Sequence, residues 1–592
     1  MSIPRPEYPR PQFRRERWLC LNGEWQFETD PGDSGLERGL RDRELRERII
    51  VPFCPESKLS GIGNTDFLNA VWYRRTVTLP PQWEGQKVLL HFQAVDYDAT
   101  VWVNGIEVGR HRGGATPFTC DLGGVASPGQ EITLVVRARD DHRAPMPRGK
   151  QTPTYANHGC LYTRTTGIWQ TVWMEPVPEV SLRRPRITPD VANGLIRLEQ
   201  PITGNRPGLR LRATLRDAQG VVCQAEARAD LDLSPRLDLP VPEERRRLWS
   251  PADPHLYDLE IELVESGGAV VDRAQSYAGL RSIAVDGKAV KLNGKVLFQR
   301  LVLDQGYYPD GILTAPTDEA LARDIELSLA AGFNGARLHQ KVFEERFLYH
   351  ADRLGYLVWS EFPDWGIDRN RPEATYITQW LEALERDYSH PCIIGWCGLN
   401  ETAQPIEERV TGLEDLTRGM FLAAKAMDTT RPVLDASGYS HRVPEADVYD
   451  CHSYEQNPEK FAAAQAGLAE GNPFRNGPPD HPWSIPYRGQ PFFVSEFGGI
   501  WWNPDVKPGE PSWGYGERPK TVEEFYQRFE RLCGALLENP HMFGYCYTQL
   551  TDVFQEQNGI YTFSRGTKFN MERIRAAQQR PAAIERKARG SA

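Results

Sequence analysis

The stretch CIIGWCGLNETAQ, residues 392–404, decides how the second half of the chain is interpreted. From 393 to 399 it is almost continuously apolar, which is typical of a strand buried on both faces of a sheet. The apolar run ends at Asn400 and Glu401, so a carboxylate stands where a core strand leaves the core. Whether that acid has a chemical purpose depends on the segments around it.

Similar apolar segments recur through the second half of the chain, with helical segments between most of them. An open doubly wound sheet would normally place a glycine-rich nucleotide turn after its first strand, and VLDQGYYPDG at 302 is not GxGxxG. Eight such segments in about 300 residues instead predict a (β/α)₈ barrel. The segments are VLFQRLVL at 296, GARLH at 335, LVWSEF at 357, IIGWCGLNE at 393, VLDAS at 433, VYDCHSY at 448, FFVSEFG at 492 and FGYCYTQ at 543.

Two of the helical segments carry clear boundary signals. In PTDEALARDIELSLAAG, Thr317 is placed to cap the N-terminus and Gly332 to end the helix. The segment TVEEFYQRFERLCGALL opens with the capping-box pattern Thr521-x-x-Glu524. Both patterns favour helices on the outside of a barrel.

The first half of the chain has a different character, with short strands and turn residues. KVLLHF at 87, ATVWV at 99 and EITLVVRA at 131 are strand-like, and Asn104-Gly105 is a strong hairpin signal. We therefore expect a multidomain chain with three parts. These are a β jelly-roll sandwich of the sugar-binding type over 1–180, an immunoglobulin-like β-sandwich over 181–283 and a catalytic (β/α)₈ TIM barrel over 284–592.

Composition narrows the choice of partner and compartment. The 592 residues include 80 acidic and 70 basic side chains, a net charge of −10, which argues against nucleic acid or an anionic membrane as a partner. No apolar run is long enough to span a membrane, and the N-terminus has no signal-like apolar segment. The ten cysteines show no paired spacing, so we expect reduced thiols and a cytoplasmic protein.

A barrel of this kind carries its active site where the strands end at their C-terminal side. The residues that close the predicted strands are mostly polar, and many are acidic. They are Asp304, Arg337, His339, Glu361, Asn400, Glu401, Asp435, His452, Tyr454, Glu496, Gln549 and Asp552.

Two of these acids, Glu401 after the fourth strand and Glu496 after the seventh, face each other across such a barrel. The barrel width less two glutamate side chains leaves about 5 Å between the carboxyls. That separation matches retaining glycosidases, in which one carboxyl protonates the leaving oxygen and the other, ionised, attacks the anomeric carbon. Trp513, in the segment after the seventh strand, is placed to offer a ring face to a sugar.

Several of these residues also have structural explanations. The alternative for Arg337 is an ion pair inside the barrel mouth, with Glu361 as the acid that holds it, and for the two histidines it is a role in the core. A ring of His, Asp and Glu can bind a metal, but the chain has no HExxH or HxH pattern, so we predict neither a metal nor a cofactor.

Motifs along nearly the whole chain resemble those of glycoside hydrolase family 2. LNGEWQF at 21, VWVNGIEVGRHRGGATPF at 101 and TTGIWQTVWMEPV at 165 resemble its N-terminal domain. GLNE at 398 resembles its acid/base motif and VSEFG at 494 its nucleophile strand. The resemblance implies Glu401 as acid/base, Glu496 as nucleophile, Asn400 as a ligand of the sugar 2-hydroxyl and Tyr454 as the residue that positions the nucleophile. It also implies a homo-oligomer.

Four departures from the family pattern concern the sugar. The usual Arg-x-Ser-His reads Arg337-Leu338-His339-Gln340, and Thr548 stands where better-known members end the eighth strand in Trp. His452 replaces an Asn of the glucuronidases, and their Asn-x-Lys motif is missing from RGTKFN at 565.

These observations predict an exo-acting retaining β-glycosidase that removes a terminal galactoside-type sugar without a cofactor. A furanoside-cleaving enzyme, acting on β-galactofuranosides or arabinofuranosides, is the nearest alternative, and a β-glucuronidase is another. A non-catalytic carbohydrate-binding protein would lack one glutamate, and both are present. A transglycosylase would use the same residues with an alcohol as acceptor.

Overall fold

The first part of the chain is a β-sandwich in the computed structural model, which describes residues 2–368, 374–507 and 509–590. Its strands are β1 (Leu19–Cys20), β2 (Gly23–Thr29), β3 (Glu47–Val51), β4 (Ala70–Thr78), β5 (Lys87–Phe92), β6 (Val95–Asp96), β7 (Asp98–Val103), β8 (Ile106–Arg112), β9 (Phe118–Asp121), β10 (Glu131–Arg139), β11 (Gly167–Ile168) and β12 (Val172–Val177). They form a six-stranded sheet, β3-β2-β4-β10-β7-β8, a four-stranded sheet, β1-β12-β5-β9, and the pair β11-β6. The predicted Asn104-Gly105 hairpin joins β7 to β8, with both residues at positive φ.

A second, smaller sandwich follows. Its strands are β13 (Arg186–Asp190), β14 (Leu195–Glu199), β15 (Arg210–Asp217), β16 (Gly220–Arg228), β17 (Arg236–Pro240), β18 (Tyr257–Val264) and β19 (Val270–Ala278). They make a three-stranded sheet, β13-β14-β17, and a four-stranded sheet, β16-β15-β18-β19. Their apolar faces bury a separate core that also takes in Phe13 from the N-terminal segment.

The eight predicted barrel strands all form, and they pair in parallel. After a small sheet of β20 (Ile283–Asp286), β21 (Ala289–Leu292) and β22 (Lys295–Val296), they are β23 (Gln299–Asp304), β24 (Gly335–Leu338), β25 (Leu357–Glu361), β26 (Ile393–Cys397), β27 (Val433–Leu434), β28 (Tyr449–Ser453), β29 (Phe492–Gly498) and β30 (Met542–Thr548). Their order, β27-β26-β25-β24-β23-β30-β29-β28, is that of a barrel with one seam between β27 and β28. The multidomain architecture of two sandwiches and a (β/α)₈ barrel is thereby confirmed.

Helices cover the barrel on the outside. They are α1 (Asp318–Ala330), α2 (Glu345–Leu354), α3 (Thr375–Asp387), α4 (Gly412–Met427), α5 (Pro458–Ala466), α6 (Val522–Leu537), α7 (Met571–Gln578) and α8 (Ala583–Gly590). Short 3₁₀ turns occupy Lys58–Ser60, Pro81–Trp83, Glu243–Arg245 and Gly467–Glu470. Within the ranges described, none of the helices has the length and apolar character needed to cross a membrane.

The predicted helix caps are mostly present. Thr317 accepts a hydrogen bond from the Ala320 amide, and Thr521 accepts one from the Glu524 amide. The reciprocal half of the second capping box differs, because the Glu524 carboxylate accepts from the Lys520 amide and not from Thr521. Helix α6 still begins where the pattern predicted.

Candidate active site

The side chains of Glu401 and Glu496 meet in one cavity, although one residue is in a loop and the other in a strand. Glu496 lies within β29, whereas Glu401 lies four residues beyond the end of β26 at Cys397. At Glu401 the backbone has φ 50°, and its amide donates to the Ser437 carbonyl at 3.0 Å, which fixes the turn over the barrel mouth. One carboxylate oxygen of each glutamate and one ring nitrogen of His452 lie within 4.8 Å of one another.

Glu496 is surrounded by groups that stabilise its charge. One oxygen accepts from Arg337 Nη1 at 2.9 Å, and the other accepts from the Tyr454 hydroxyl. Burial alone would raise the pKa of Glu496, but the charges of His452 and Arg337 outweigh it and hold the pKa well below its ordinary value. This carboxylate is therefore ionised throughout the neutral range, as a nucleophile must be.

Arg337 is fully buried and connects four of the residues that close the strands. Its Nε donates to Glu361 at 2.6 Å, and an Nη donates to the Asn400 side-chain oxygen. His339 lies beside this pair, with Nδ1 3.0 Å from Glu361 and 3.8 Å from Glu496. Burial first, and then the charge of Lys150, lower the pKa of His339 well below its ordinary value, so it is a neutral ring in the floor of the pocket.

His452 stands between the two glutamates. Its Nδ1 is 2.6 Å from Glu401 Oε1 and 3.4 Å from Glu496 Oε2, and its Nε2 is 3.0 Å from the Ser437 hydroxyl. Burial opposes its charge, but the two carboxylates raise the pKa of His452 above the usual value. The ring thus gives Glu401 a hydrogen-bonding partner and lies close to the Glu496 oxygen that accepts from Tyr454.

Asn400 presents an unused donor to the cavity. Its side-chain oxygen is taken by Arg337, whereas its buried Nδ2 has no hydrogen-bond partner among the described residues. The backbone on either side is fixed by Asp364, which accepts from the Asn400 amide, and by Trp365, whose indole donates to the Asn400 carbonyl. A buried amide left without a partner is the arrangement expected of a group that binds a substrate hydroxyl.

The first domain supplies part of the pocket, which the sequence did not reveal. Lys150 lies on a loop of that domain, is 6% exposed, and holds its ammonium 5.1 Å from the Trp365 ring centre. Burial lowers the pKa of Lys150, but Glu556, Glu496 and Glu401 are among the groups that raise it, so it stays charged. A loop of a β-sandwich carries no periodic pattern that marks such a residue.

A network of amides and one acid forms the opposite wall. Glu556 is 1% exposed and accepts from the Tyr162 hydroxyl and from Asn558 at 3.1 Å. Gln549, predicted as a sugar ligand, donates to Asn558 at 2.8 Å and accepts from Gln305 at 2.6 Å. Glu556 follows β30 by eight residues, so a search confined to strand ends did not find it.

The remaining predicted residues have different surroundings. The rings of Tyr454 and Tyr515 are stacked, with their centres 3.4 Å apart. The indole of Trp513 donates to the Gly159 carbonyl at 2.7 Å, which connects the segment after β29 to the first domain.

Asp304 accepts a hydrogen bond from the Gly306 amide, while burial and Asp324 raise the pKa of Asp304 to about 7. Asp552 pairs with Lys568 at 2.8 Å. The side chains of both aspartates contact loop residues, and the second oxygen of Asp304 is buried without a hydrogen-bond partner among the described residues.

The cluster of Glu401, His452 and Glu496 also has three atoms placed as a metal site would need them. Both oxygens of Glu496 are already hydrogen-bonded, to Arg337 and Tyr454, and His452 Nδ1 already faces Glu401. A cation next to Arg337 would also meet like charge. The arrangement therefore fits an acid/base pair better than a metal centre.

Two parts of the chain match family models. Residues 61–142 match the sugar-binding domain of the glycosyl hydrolases family 2, and residues 180–281 match the model described as glycosyl hydrolases family 2. A β-glucuronidase of Paenibacillus borealis is 27% identical over 461 residues, which cover 72% of this chain and 74% of that protein. A β-galactosidase of Thermoanaerobacter pseudethanolicus is 24% identical over 384 residues, which cover 62% of this chain and 48% of that protein.

Solved structures agree with the architecture. The β-glucuronidase from Ruminococcus gnavus in complex with D-glucuronic acid superposes with a TM-score of 0.76 at 20% identity, over 98% of this chain and 100% of that chain. At this identity the superposition supports the fold alone. The matched family models and the related sequences support one assignment: the chain belongs to glycoside hydrolase family 2 and is a retaining glycoside hydrolase.

Proposed function

We propose that the protein is an exo-acting β-glycosidase in which Glu496 is the nucleophile and Glu401 the acid/base. The observation that carries this proposal is the approach of the two carboxylates, with one oxygen of each inside a 4.8 Å cluster. That approach suits the retaining geometry of about 5–5.5 Å between carboxyl groups and is too short for the inverting one.

The roles proposed for the two acids define two steps. Glu496 attacks the anomeric carbon as the bond to the leaving oxygen breaks, and Glu401 gives its proton to that oxygen. Glu401 then takes a proton from water, the water oxygen bonds to the anomeric carbon, and Glu496 leaves as a carboxylate. Arg337 and Tyr454 hold Glu496 throughout, and the free Nδ2 of Asn400 is placed to donate to a sugar hydroxyl.

Two features support removal of a single terminal sugar. The Lys150 loop and Tyr162, both from the first domain, stand over the barrel mouth, and Tyr162 is hydrogen-bonded to Glu556 in the barrel. A mouth closed in this way accepts the end of a glycan better than its middle, which needs an open cleft.

The buried Glu556 favours a neutral glycone. A uronate would bring a further carboxylate into a pocket that already holds Glu556 and Glu496, and like charges in a water-poor site repel strongly. The polar wall of Gln305, Gln549 and Asn558 suits hydroxyl groups. We therefore propose a β-galactoside-type sugar as the first candidate.

A β-glucuronide is the second candidate, for two reasons. Several related proteins, among them those of Paenibacillus borealis and Sus scrofa, are named β-glucuronidase, and the Lys150 ammonium has no hydrogen bond or ion pair within the described part of the chain. A furanoside is the third, since Thr548 at the end of β30 leaves more room than an aromatic ring would.

The test is a panel of nitrophenyl glycosides assayed with the wild type and with Glu496→Gln. The panel holds β-galactopyranoside, β-galactofuranoside, arabinofuranoside, β-glucuronide, mannoside and fucoside. We expect galactopyranoside to have the highest kcat/KM, with retention of configuration seen by NMR, and at least a thousandfold loss in Glu496→Gln. Glucuronide as the best substrate would overturn the choice of glycone, and an active Glu496→Gln would overturn the mechanism.

A further inference from the structure

A groove between the first domain and the barrel runs up to Glu401. Its volume is about 450 Å³, and its described lining includes Glu401 and Thr402 but not Glu496. In a retaining glycosidase the acid/base faces the leaving group, and the nucleophile attacks from the opposite side of the sugar. A groove that reaches the acid/base alone therefore lies on the leaving-group side.

Six apolar residues line this groove, together with polar side chains that include Arg143, Gln151, Asp368 and Thr402. The apolar lining consists of Ala144, Pro145, Pro153, Leu161, Trp365 and Ile367. Arg148 adds a planar guanidinium, which is held in place because it donates to the carbonyls of His142 and Ala144. Proline, leucine and guanidinium surfaces of this kind match the faces of aromatic rings better than they match a second sugar, which needs many hydrogen-bonding partners.

Aromatic side chains continue the groove outward. His142, which lines it, is stacked on Phe67 at 3.9 Å, and Phe67 in turn meets Tyr155 edge-on at 4.6 Å. Tyr155 is 73% exposed, although a large aromatic side chain normally packs against something. The exposed ring is connected to the groove through Phe67 and His142.

We propose that this groove binds aromatic aglycones of two or more rings, so that the natural substrates are β-glycosides of polycyclic phenols. The proposal rests on the proposed roles of Glu401 and Glu496. It adds that residues of the first domain, and not of the barrel alone, select the leaving group.

The experiment compares phenyl and 2-naphthyl glycosides of the preferred sugar, together with a disaccharide that has the same glycone. The quantity is kcat/KM, because it reports the step in which the aglycone is still bound. We expect the wild type to prefer the naphthyl glycoside about tenfold, which corresponds to about 1.4 kcal/mol. Leu161→Ala and Ile367→Ala should reduce the preference to about twofold or less.

Leu329→Ala is the matched control, since Leu329 is a half-buried leucine in α1 and does not line the groove. It should keep the wild-type preference. The proposal fails if the wild type shows no preference for two rings, if the disaccharide is the better substrate, or if both groove variants keep the preference.

Titration with 2-naphthol separates this proposal from the mechanism, because it needs no turnover. Binding by the wild type that is weakened at least fivefold in the Leu161→Ala, Ile367→Ala double variant supports the groove even if no glycoside is cleaved. Equal binding by both proteins overturns it even if the phenyl glycoside is hydrolysed. Thermal melting of each variant checks that the fold is kept.

Discussion

Replacing Glu401 by alanine should affect the two displacement steps unequally. With a nitrophenyl glycoside, whose leaving group needs little protonation, the first step should slow slightly, whereas the second should slow by about 10²–10⁴-fold because water lacks its base. Sodium azide needs no base, so it should restore turnover and give a β-glycosyl azide, detectable by NMR. Glu496→Ala, the matched variant, should give no β-azide; if it did so and Glu401→Ala did not, the two roles would be reversed.

The charge of Glu556 should control which glycones are accepted. Glu556→Gln keeps an oxygen for Tyr162 and Asn558 but removes a buried negative charge, so the kcat/KM for a β-glucuronide relative to a β-galactoside should rise about tenfold or more. Both substrates are measured at the same ionic strength, with the exposed Glu517→Gln as the control for charge alone. An unchanged ratio would remove Glu556 from the choice of sugar.

Candidate site residues could be predicted from the sequence where their position relative to a strand identified them. Glu496 stands in a strand and Glu401 just after one, so the rule that barrel sites lie at strand ends found both. Lys150 and Glu556 lie on loops, and only the tertiary fold brings them to the pocket. Asp304 and Asp552 satisfied the same rule and contact loop residues in the structure, so their predicted contacts with the sugar stay a prediction.

At the scale of elements, ion pairs of His441 connect the two barrel strands that are not joined by backbone hydrogen bonds. The strands β27 and β28 are neighbours without a ladder, and His441 lies between Asp435, at 2.8 Å, and Asp450 of β28, at 3.1 Å. Burial opposes its charge, but the two aspartates raise the pKa of His441 to about 10. The ion triad thus takes the place of a strand pairing.

His441→Gln should therefore destabilise the protein in a pH-dependent way. The folded pKa is raised above the unfolded value of about 6.5, so the stabilisation is complete below pH 6.5 and is lost as the pH rises toward 10. We expect a loss of about 3 kcal/mol near pH 6 and a much smaller loss near pH 10. Calorimetry of both proteins at one scan rate measures the difference, and a deficit that grows with pH would contradict the assignment.

The elements themselves were well predicted, and their ends less so. Periodicity and capping found all eight barrel strands and the starts of α1 and α6. The segment at 433 gives a strand of two residues, Val433–Leu434, because the chain there turns to bring Asp435 to His441. His441 also contacts Asp450 of the next strand, so the apolar pattern at 433 did not by itself set that boundary.

At the scale of the whole molecule, the active site depends on how the domains are held together. The N-terminal segment crosses all three, with Arg5 donating to Glu344 of the barrel and Arg15 joining the two sandwiches. Since Lys150 and Tyr162 reach the site from the first domain, a shift of that domain would open the pocket without touching either glutamate. The sequence indicated three domains, but it held no sign that a segment before the first strand would bind them.

Arg15→Met tests this connection directly. The Arg15 guanidinium donates to Glu175 of β12 at 2.9 Å and to Asp272 of β19 at 2.8 Å, and the residue is 6% exposed. Without the guanidinium, the buried carboxylates of Glu175 and Asp272 would lose a positively charged partner. We expect this to lower the free energy of unfolding by about 3–5 kcal/mol. We expect Arg15→Met to melt at a lower temperature than the wild type, with a first transition in which the two sandwiches unfold. Activity should be lost in that first transition. Arg14→Met changes the exposed neighbour and should leave the melting profile as it is; equal profiles for the two variants would mean that Arg15 does not join the domains.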